Sequence, residues 1–561
     1  MVIVDRDGSL TRRRFLSGLA LLGAAPLWHG TDSWAWLQAP APSAFTGDDV
    51  ELAHRLLSRP DDILSQGTPQ AQPDLYDTIV VGGGISGLVA AYRLRGSRVL
   101  LLERDAEIGG VSKRGSWQGI EYALGAAYIL DPDPDSEDSR EKIGFELLDE
   151  LDLRKRDEDL SQDRRLQRRL SGDANHCVFS RIRVVPEAEV YTRRNRRFFE
   201  GVLDSDAYPS VPATDEALVE ALDRVSFKAF LKDTALQQDV YGTAVGAISR
   251  IGWEAIEYYC WGAFGTSATE TSAYHGLNFF AAEFGDLLVY PGGNAFIARR
   301  LGERIRRDNP GAIRTGVWTL RIERQGESFA VTTWQSGSLY RYRARSVIFA
   351  APLFLAPTLV PSLPAPQRQA IATFDYRSYV VANVLLRRSA NAIFASPAFR
   401  AGYELTRVHG VDVDVTTPQE ISTSKVYSDA ILADFAMGRH PTHAVLTVYR
   451  PYPYESGRPD LLERSYADLE REIRREVVAG LGPHGLRAGD IEGVQLCRWG
   501  HPMLVTRPGQ MADGTLRAAS RPQPGLYFAH TDVMGAPAYE NALAAAHDAV
   551  DAVRAFLKGP E

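Results

Sequence analysis

The chain has 561 residues, 45% of them apolar and 24% charged, and a net charge of −8. That length exceeds one ordinary core, so at least two domains are expected, and the mild acidic excess excludes the strongly basic profile of a nucleic-acid binder. The three cysteines, Cys177, Cys260 and Cys497, lie far apart, with no C-x-x-C pair, H-E-x-x-H or EF-hand loop. No metal site and no disulfide framework is expected, leaving at most one bridge in an oxidising compartment.

Residues 1–40 read as a targeting segment. Thr11-Arg12-Arg13-Arg14-Phe15-Leu16-Ser17 matches the twin-arginine signal pattern, and a short apolar stretch runs from Leu16 to Trp28. A stretch of roughly a dozen residues has the size of a signal h-region and not of a bilayer span. The alternative is an ordinary N-terminal helix with a basic start. The signal reading implies the twin-arginine translocation machinery as a partner and a periplasmic or exported protein. Membrane contact would come only through this segment if it stays uncleaved. Residues 41–75 are polar, with an apolar helical stretch from Leu52 to Leu57, and read as a linker with a short helix.

Tyr76 to Val81 is a β-branched run that predicts a buried strand. A glycine turn, a helix over Leu88 to Leu94 and a second strand over Arg98 to Glu103 complete a βαβ unit. Asp131 to Asp138, Arg164 to Arg169 and Arg193 to Arg197 are charge runs that read as solvated surface. Ile313 to Ile322 predicts a strand with Phe329 to Trp334 as its hairpin partner; Arg345 to Ala351 and Gly525 to Ala529 are further strands, and an Ala-rich helix closes the chain. These returns divide the chain into a dinucleotide domain (76–150, 291–352 and 505–561) and an interleaved second domain (151–290 and 353–504).

The chemistry is clearest at Gly82-x-Gly84-x-x-Gly87, between the first strand and its helix. The first glycine allows the tight turn, the second admits a pyrophosphate to the backbone, and the third lets helix pack on strand. The helix N-terminus then offers free N–H groups to the phosphates. Glu103, 16 residues beyond Gly87, ends the second strand, where a carboxylate accepts hydrogen bonds from ribose hydroxyls.

Gly109-Gly110-Val111-Ser112-Lys113-Arg114, Leu124-Gly125-Ala126-Ala127-Tyr128, Tyr290-Pro291-Gly292-Gly293-Asn294 and Gly525-Leu526-Tyr527-Phe528-Ala529-His530-Thr531-Asp532 follow along the chain. In these stretches it resembles the flavin amine oxidase superfamily. In Lys113-Arg114, Gly293-Asn294, Arg498-Trp499-Gly500-His501 and Ala546-His547-Asp548-Ala549-Val550 it is similar to the bacterial spermidine dehydrogenase group, which also carries twin-arginine signals. The resemblance implies an α/β fold. A doubly wound, Rossmann-type FAD domain would be interleaved with an α+β substrate domain. It implies non-covalent FAD, held by Gly82, Gly84, Gly87, Glu103, Gly109, Gly110, Val317 and Asp532. Asp532 is placed on the ribityl chain, and Lys113 and Arg114 at the phosphates or flavin edge. It puts Trp499 and His501 near the flavin. His54 is similar to a histidine of that group's N-terminal helix, which keeps haem as an option. Many amine oxidases have Tyr-x-Glu-Gly-Ala near the C-terminus; matching Glu540 and Ala542 to it leaves Ala538 at the aromatic's place and Tyr539 one residue late.

Tyr258-Tyr259-Cys260-Trp261-Gly262-Ala263-Phe264-Gly265 is dense in aromatics, which suits an apolar or cation-binding pocket or a domain core. The candidate catalytic residues are His501, Trp499, Tyr539 and His275, the histidines as proton-transfer groups. The expected activity is oxidation of a C–N bond in a small amine or polyamine-like substrate, with O2 or a periplasmic carrier taking the electrons. Two rivals are a flavin desaturase or isomerase of an apolar substrate, and a non-catalytic flavin-binding assembly protein.

Overall fold

The computed structural model describes residues 44–47, 50–132, 139–154, 168–170, 176–408, 429–452 and 454–558. They belong to one compact unit, Pro40–Glu561. The stretch expected to be a twin-arginine signal (1–40), most of the 131–138 loop and residues 164–167 lie outside the described residues.

Helix α1 (Val50–Leu57) precedes the first strand. A seven-stranded sheet organises the nucleotide side. Strand β1 (Gln70–Val81) pairs in parallel with β2 (Val99–Leu102) on one side and β12 (Ser338–Phe349) on the other. Strand β9 (Ile313–Arg314) extends the sheet beyond β2. Strands β10 (Trp318–Gln325) and β11 (Ser328–Gln335) form an antiparallel meander onto the first half of β12, whose last residues pair instead with β18 (Leu526–Phe528). Helices α2 (Ile85–Arg93), α5 (Ala295–Asp308) and α6 (Tyr539–Lys558) pack on one face through Leu88, Val89, Ile297, Leu301, Ala546 and Val550. The buried runs Ile79–Val81 and Leu100–Leu102 read as continuous apolar strands because both faces of a parallel sheet are covered.

The second sheet has the order β17 (Ile491–Leu504), β13 (Tyr376–Leu386), β16 (Ala444–Tyr452), β15 (Asp429–Leu432), β14 (Glu404–Arg407), β7 (His176–Phe179). Its outer face packs on the helix Tyr466–Leu481 through Leu469, Ile473 and Val477. A hairpin, β3 (Arg114–Trp117) and β4 (Ile120–Ala123), and a small sheet of β5 (Tyr128–Leu130), β8 (Leu287–Val289) and β6 (Arg168–Leu170) lie along the chain between the two large sheets. A helical layer, including α3 (Arg250–Phe264) and α4 (Ala273–Ala282), buries Phe199, Phe227, Phe230, Cys260 and Phe264. No described helix is long and apolar enough to cross a membrane.

Three expectations change. The first strand begins at Gln70, six residues before the apolar run; its polar half pairs with Tyr340 and Arg341 and carries no hydrophobic signal. The predicted strand over Ile313 to Ile322 is two strands, broken at Gly316 with φ +70°. The first helix begins at Ile85, within the glycine motif.

Candidate active site

Strand β1 ends at the turn Gly82–Gly84, and Gly84 caps α2. Gly82 has φ +110°, and a Cβ there would stand 2.5 Å from the Ala350 carbonyl oxygen. At Gly87 a Cβ would meet the Gly82 carbonyl oxygen at 1.9 Å. At Gly84 a Cβ would have only the Gly110 Cα within 4 Å, at 3.9 Å, so this glycine leaves its approach open. The Gly109 N–H donates to the Gly83 carbonyl at 2.7 Å and ties the two glycine turns together. The Glu103 carboxylate accepts from the Gly83 N–H at 2.5 Å and the Asp105 N–H at 2.8 Å. Its burial raises its pKa. The Val317 N–H donates to the Glu103 carbonyl at 2.9 Å, across the break at Gly316.

Gly82, Gly84, Glu103, Gly109, Gly110 and Val317 all line one cavity of about 1050 Å3. Gly87 does not, because its work is packing α2 on β1. A side-chain-free cradle at the start of a nine-residue helix, with a buried carboxylate at the end of β2, fits a dinucleotide.

Three expected cofactor residues do not line this cavity. Lys113 donates to Asp105 at 2.5 Å and to the Gly47 carbonyl at 3.1 Å, so its ammonium is used in holding the chain. Arg114 pairs with Glu121 and packs on Gly292. Asp532 is buried and accepts from the Leu353 N–H at 2.8 Å and the Tyr376 hydroxyl at 2.7 Å. Burial works against its charge, but His530 and these donors hold its pKa below the usual value. None of the three lines the cavity, whose wall at the last position is His530 and Thr531.

On the other side of the glycine turns the wall is Gly125–Leu130. The Trp499 Nε1–H donates to the Leu124 carbonyl at 2.7 Å, and the Tyr449 hydroxyl to the Gly125 carbonyl at 2.8 Å. Beyond them, Glu283 after α4, Glu404 on β14 and Asp429 on β15 are among the carboxylates that line the cavity. Glu283 accepts from the Tyr259 hydroxyl at 3.1 Å and the Tyr128 hydroxyl at 3.3 Å. Glu404 accepts from the Thr406 hydroxyl at 3.3 Å, and His176 stands 3.7 Å from it. Tyr403 and Tyr449 complete the ring. Burial pushes Glu283 up to about 8, reinforced by the charge of Glu404, and pushes Glu404 up to about 7.

Of the candidate catalytic residues, Trp499, His501 and Tyr539 line the cavity and His275 does not. His275 is 2% exposed inside the helical layer, where burial pushes it down to about 4, so it stays neutral. The Tyr539 ring is buried with the core beside α2, and Ala538 fills the neighbouring wall position. His501 packs against Phe354, with ring centroids 4.6 Å apart. Arg458 donates to its Nδ1 at 3.1 Å, and burial first, then Arg458, push its pKa down to about 4. That bond leaves the proton on Nε2, which makes His501 a donor and not a base. In the aromatic run, Tyr258, Tyr259, Gly262 and Ala263 line the cavity, while Trp261 and Phe264 are core. The run is therefore divided between cavity wall and core. Sequence reasoning missed Glu283, Glu404 and Asp429. The one trace is at Glu283, which with Asp286 interrupts the largely apolar stretch from Leu277 to Val289.

A dinucleotide sheet joined to a second sheet, with the cavity running between glycine cradle and carboxylates, defines an FAD-dependent oxidoreductase. The family model described as flavin containing amine oxidoreductase matches residues 85–554, and the chain belongs to that family. Oxidoreductase PigB of Serratia sp. (strain ATCC 39006) is 23% identical over 537 residues, 87% of this chain and 76% of PigB. Cyclohexylamine oxidase from Brevibacterium oxydans IH-35A superposes with a TM-score of 0.59 at 17% identity, over 86% of this chain and all of that one. Wild-type putrescine oxidase bound to putrescine gives a TM-score of 0.57 at 15% identity, over 86% of this chain and 100% of that one. Identities this low establish the shared fold.

Proposed function

We propose that this protein oxidises a C–N bond of an amine or polyamine-like substrate with FAD held non-covalently in the dinucleotide cradle. The observation that carries the reading is the group Glu283, Glu404 and Asp429, set among tyrosines in the cavity that also contains the cradle. Partly buried carboxylates ringed by aromatic faces attract organic cations. FAD, when bound, supplies the hydride acceptor. The chain's own part is to seat the substrate nitrogen, exclude water with Tyr128, Tyr403 and Tyr449, and set the charge of Glu283 and Glu404, once ionised, against the cation. None of the three cysteines lines the cavity, and all are buried, which supports a flavin without a cysteinyl bond. His54 lines the cavity near the cradle, a place this reading gives to FAD contact and not to haem ligation. We also propose export by the twin-arginine route and electron delivery to O2 or a periplasmic carrier.

Since burial raises the pKa values of Glu283 and Glu404, both are protonated at low pH and ionise as pH rises. They titrate as a pair. Amine kcat/KM should therefore climb between about pH 6.5 and 8.5, while the amine is still an ammonium ion. His501→Asn should leave this limb in place and Glu283→Gln should displace it. Loss of the limb in the His501 variant would return the proton-transfer role to that histidine.

A second reading rests on Val178, Val185, Val190, Phe280 and Phe284, which make an apolar wall of the same cavity. They would suit an unsaturated hydrocarbon chain. Flavin reduced by amines, and untouched by unsaturated fatty acids, decides for the first reading.

A further inference from the structure

Residues before the family match form a strap across the cavity. At one end the Thr46 N–H donates to the Leu496 carbonyl at 3.0 Å and the Gln495 amide donates to the Thr46 hydroxyl at 2.9 Å. Phe45 lies 3.7 Å beneath the Arg498 guanidinium and edge-on to Tyr466, at 5.5 Å. These partners belong to the second sheet and its covering helix. At the other end Leu56, fully buried, packs with Trp318, Leu320 and Leu339 of the nucleotide sheet. The strap thus ties the two sheets together through α1.

Helix α1 turns one face to the cavity. Val50, Ala53, His54 and Leu57 line it at i, i+3, i+4 and i+7, the spacing of a single helical stripe, while Leu56 points to the sheet. Lining the same cavity are Arg104, Trp318, Thr319, Leu355 and Thr358. Arg104 follows Glu103, and Trp318 follows Val317, so this is the end of the cradle where the ribose carboxylate stands. The His54 Nδ1 lies 2.7 Å from the Val50 carbonyl, an acceptor, so in the neutral ring Nε2 carries the free lone pair.

We propose that α1 is the cover of the adenosine half of FAD, so that residues 44–47 and 50–58 retain the dinucleotide against loss to solvent. An adenine ring offers an apolar face to Val50, Ala53 and Leu57 and an exocyclic N–H2 donor to His54. The strap lies outside residues 85–554, so this grip is additional to what the family match covers.

The test is flavin binding by apoprotein of the full chain, titrated separately with FAD and with FMN, which lacks the adenosine. Two variants probe α1: Leu56→Ser, which removes its anchor, and Ala53→Glu, which puts a carboxylate on its cavity face. Both should weaken FAD about tenfold or more, the equivalent of ~1.4 kcal/mol, and leave FMN affinity unchanged. Unchanged FAD affinity in Ala53→Glu overturns the proposal, as does equal weakening of FAD and FMN. If Leu56→Ser does not fold, Ala53→Glu carries the test alone. The proposal rests on FAD occupying the cradle, which the wild-type titration checks separately: a wild-type protein that takes up no FAD refutes that reading, whatever the variants do.

Discussion

Gly87→Ala should yield protein that purifies without flavin. The added Cβ would stand 1.9 Å from the Gly82 carbonyl oxygen and 3.2 Å from the Ala350 Cβ. Both obstacles are fixed to the main chain of the turn and of the segment beside it, so neither can swing aside. Helix α2 must lift from β1, which moves the N–H groups of residues 84–86 away from the phosphates. Overpacking at such a site costs about 1–3 kcal/mol in stability, and the loss of pyrophosphate contacts adds to the loss of binding. The absorbance ratio of flavin to protein measures it directly. A Gly87→Ala protein with full flavin content would mean that the dinucleotide is not held in this cradle.

Glu283→Gln should lower kcat/KM for the preferred amine by roughly 30- to 150-fold, about 2–3 kcal/mol, while flavin content stays intact. Glutamine keeps the shape and can still accept from Tyr259 and Tyr128, so the loss reports the charge. The effect should fall on KM more than on kcat, since the carboxylate binds the cation in ground and transition states alike. It should shrink at pH 6, where Glu283 is already protonated in the wild type. A pH-independent loss confined to kcat would assign Glu283 a proton-transfer role instead. No loss at all would remove the carboxylate chamber from substrate binding.

These two residues also mark what a sequence does and does not display. Gly82, Gly84, Gly87 and Glu103 are legible because backbone geometry dictates their identity within one βαβ unit of about 30 residues. Packing leaves no choice at Gly87, so the residue type itself records the structure. Val317 stands at the cavity wall as the resemblance implies, although its strand differs from the expected one: the break at Gly316 swings Val317 back to the Glu103 carbonyl. Asp532 is a different case. Its motif is intact, but the short turn Thr531–Met534 carries the carboxylate inward to Tyr376 and leaves Thr531 at the wall.

The carboxylate chamber is invisible in the sequence for a different reason. Tyr128, Tyr259, Glu283, Glu404, Asp429 and Tyr449 come from β5, α3, the end of α4, β14, β15 and β16, and no spacing along the chain links them. They meet only when the second sheet and the helical layer close on the 125–130 segment. His275 draws attention because a lone histidine near aromatics is conspicuous, yet its helix turns it into the core. The strap reads in sequence as a linker with a helix at Leu52 to Leu57. That helix is present, but its covering position depends on Leu56 meeting Trp318, a partner far away along the chain.

The most direct test of the central claim is an anaerobic absorbance spectrum of the purified protein, before and after adding a panel of monoamines, diamines and polyamines. The account predicts an oxidised flavin spectrum that bleaches with at least one amine, faster at pH 8 than at pH 6.5. A flavin that stays oxidised with every amine would contradict it and turn the apolar wall of Val178, Phe280 and Phe284 into the substrate site.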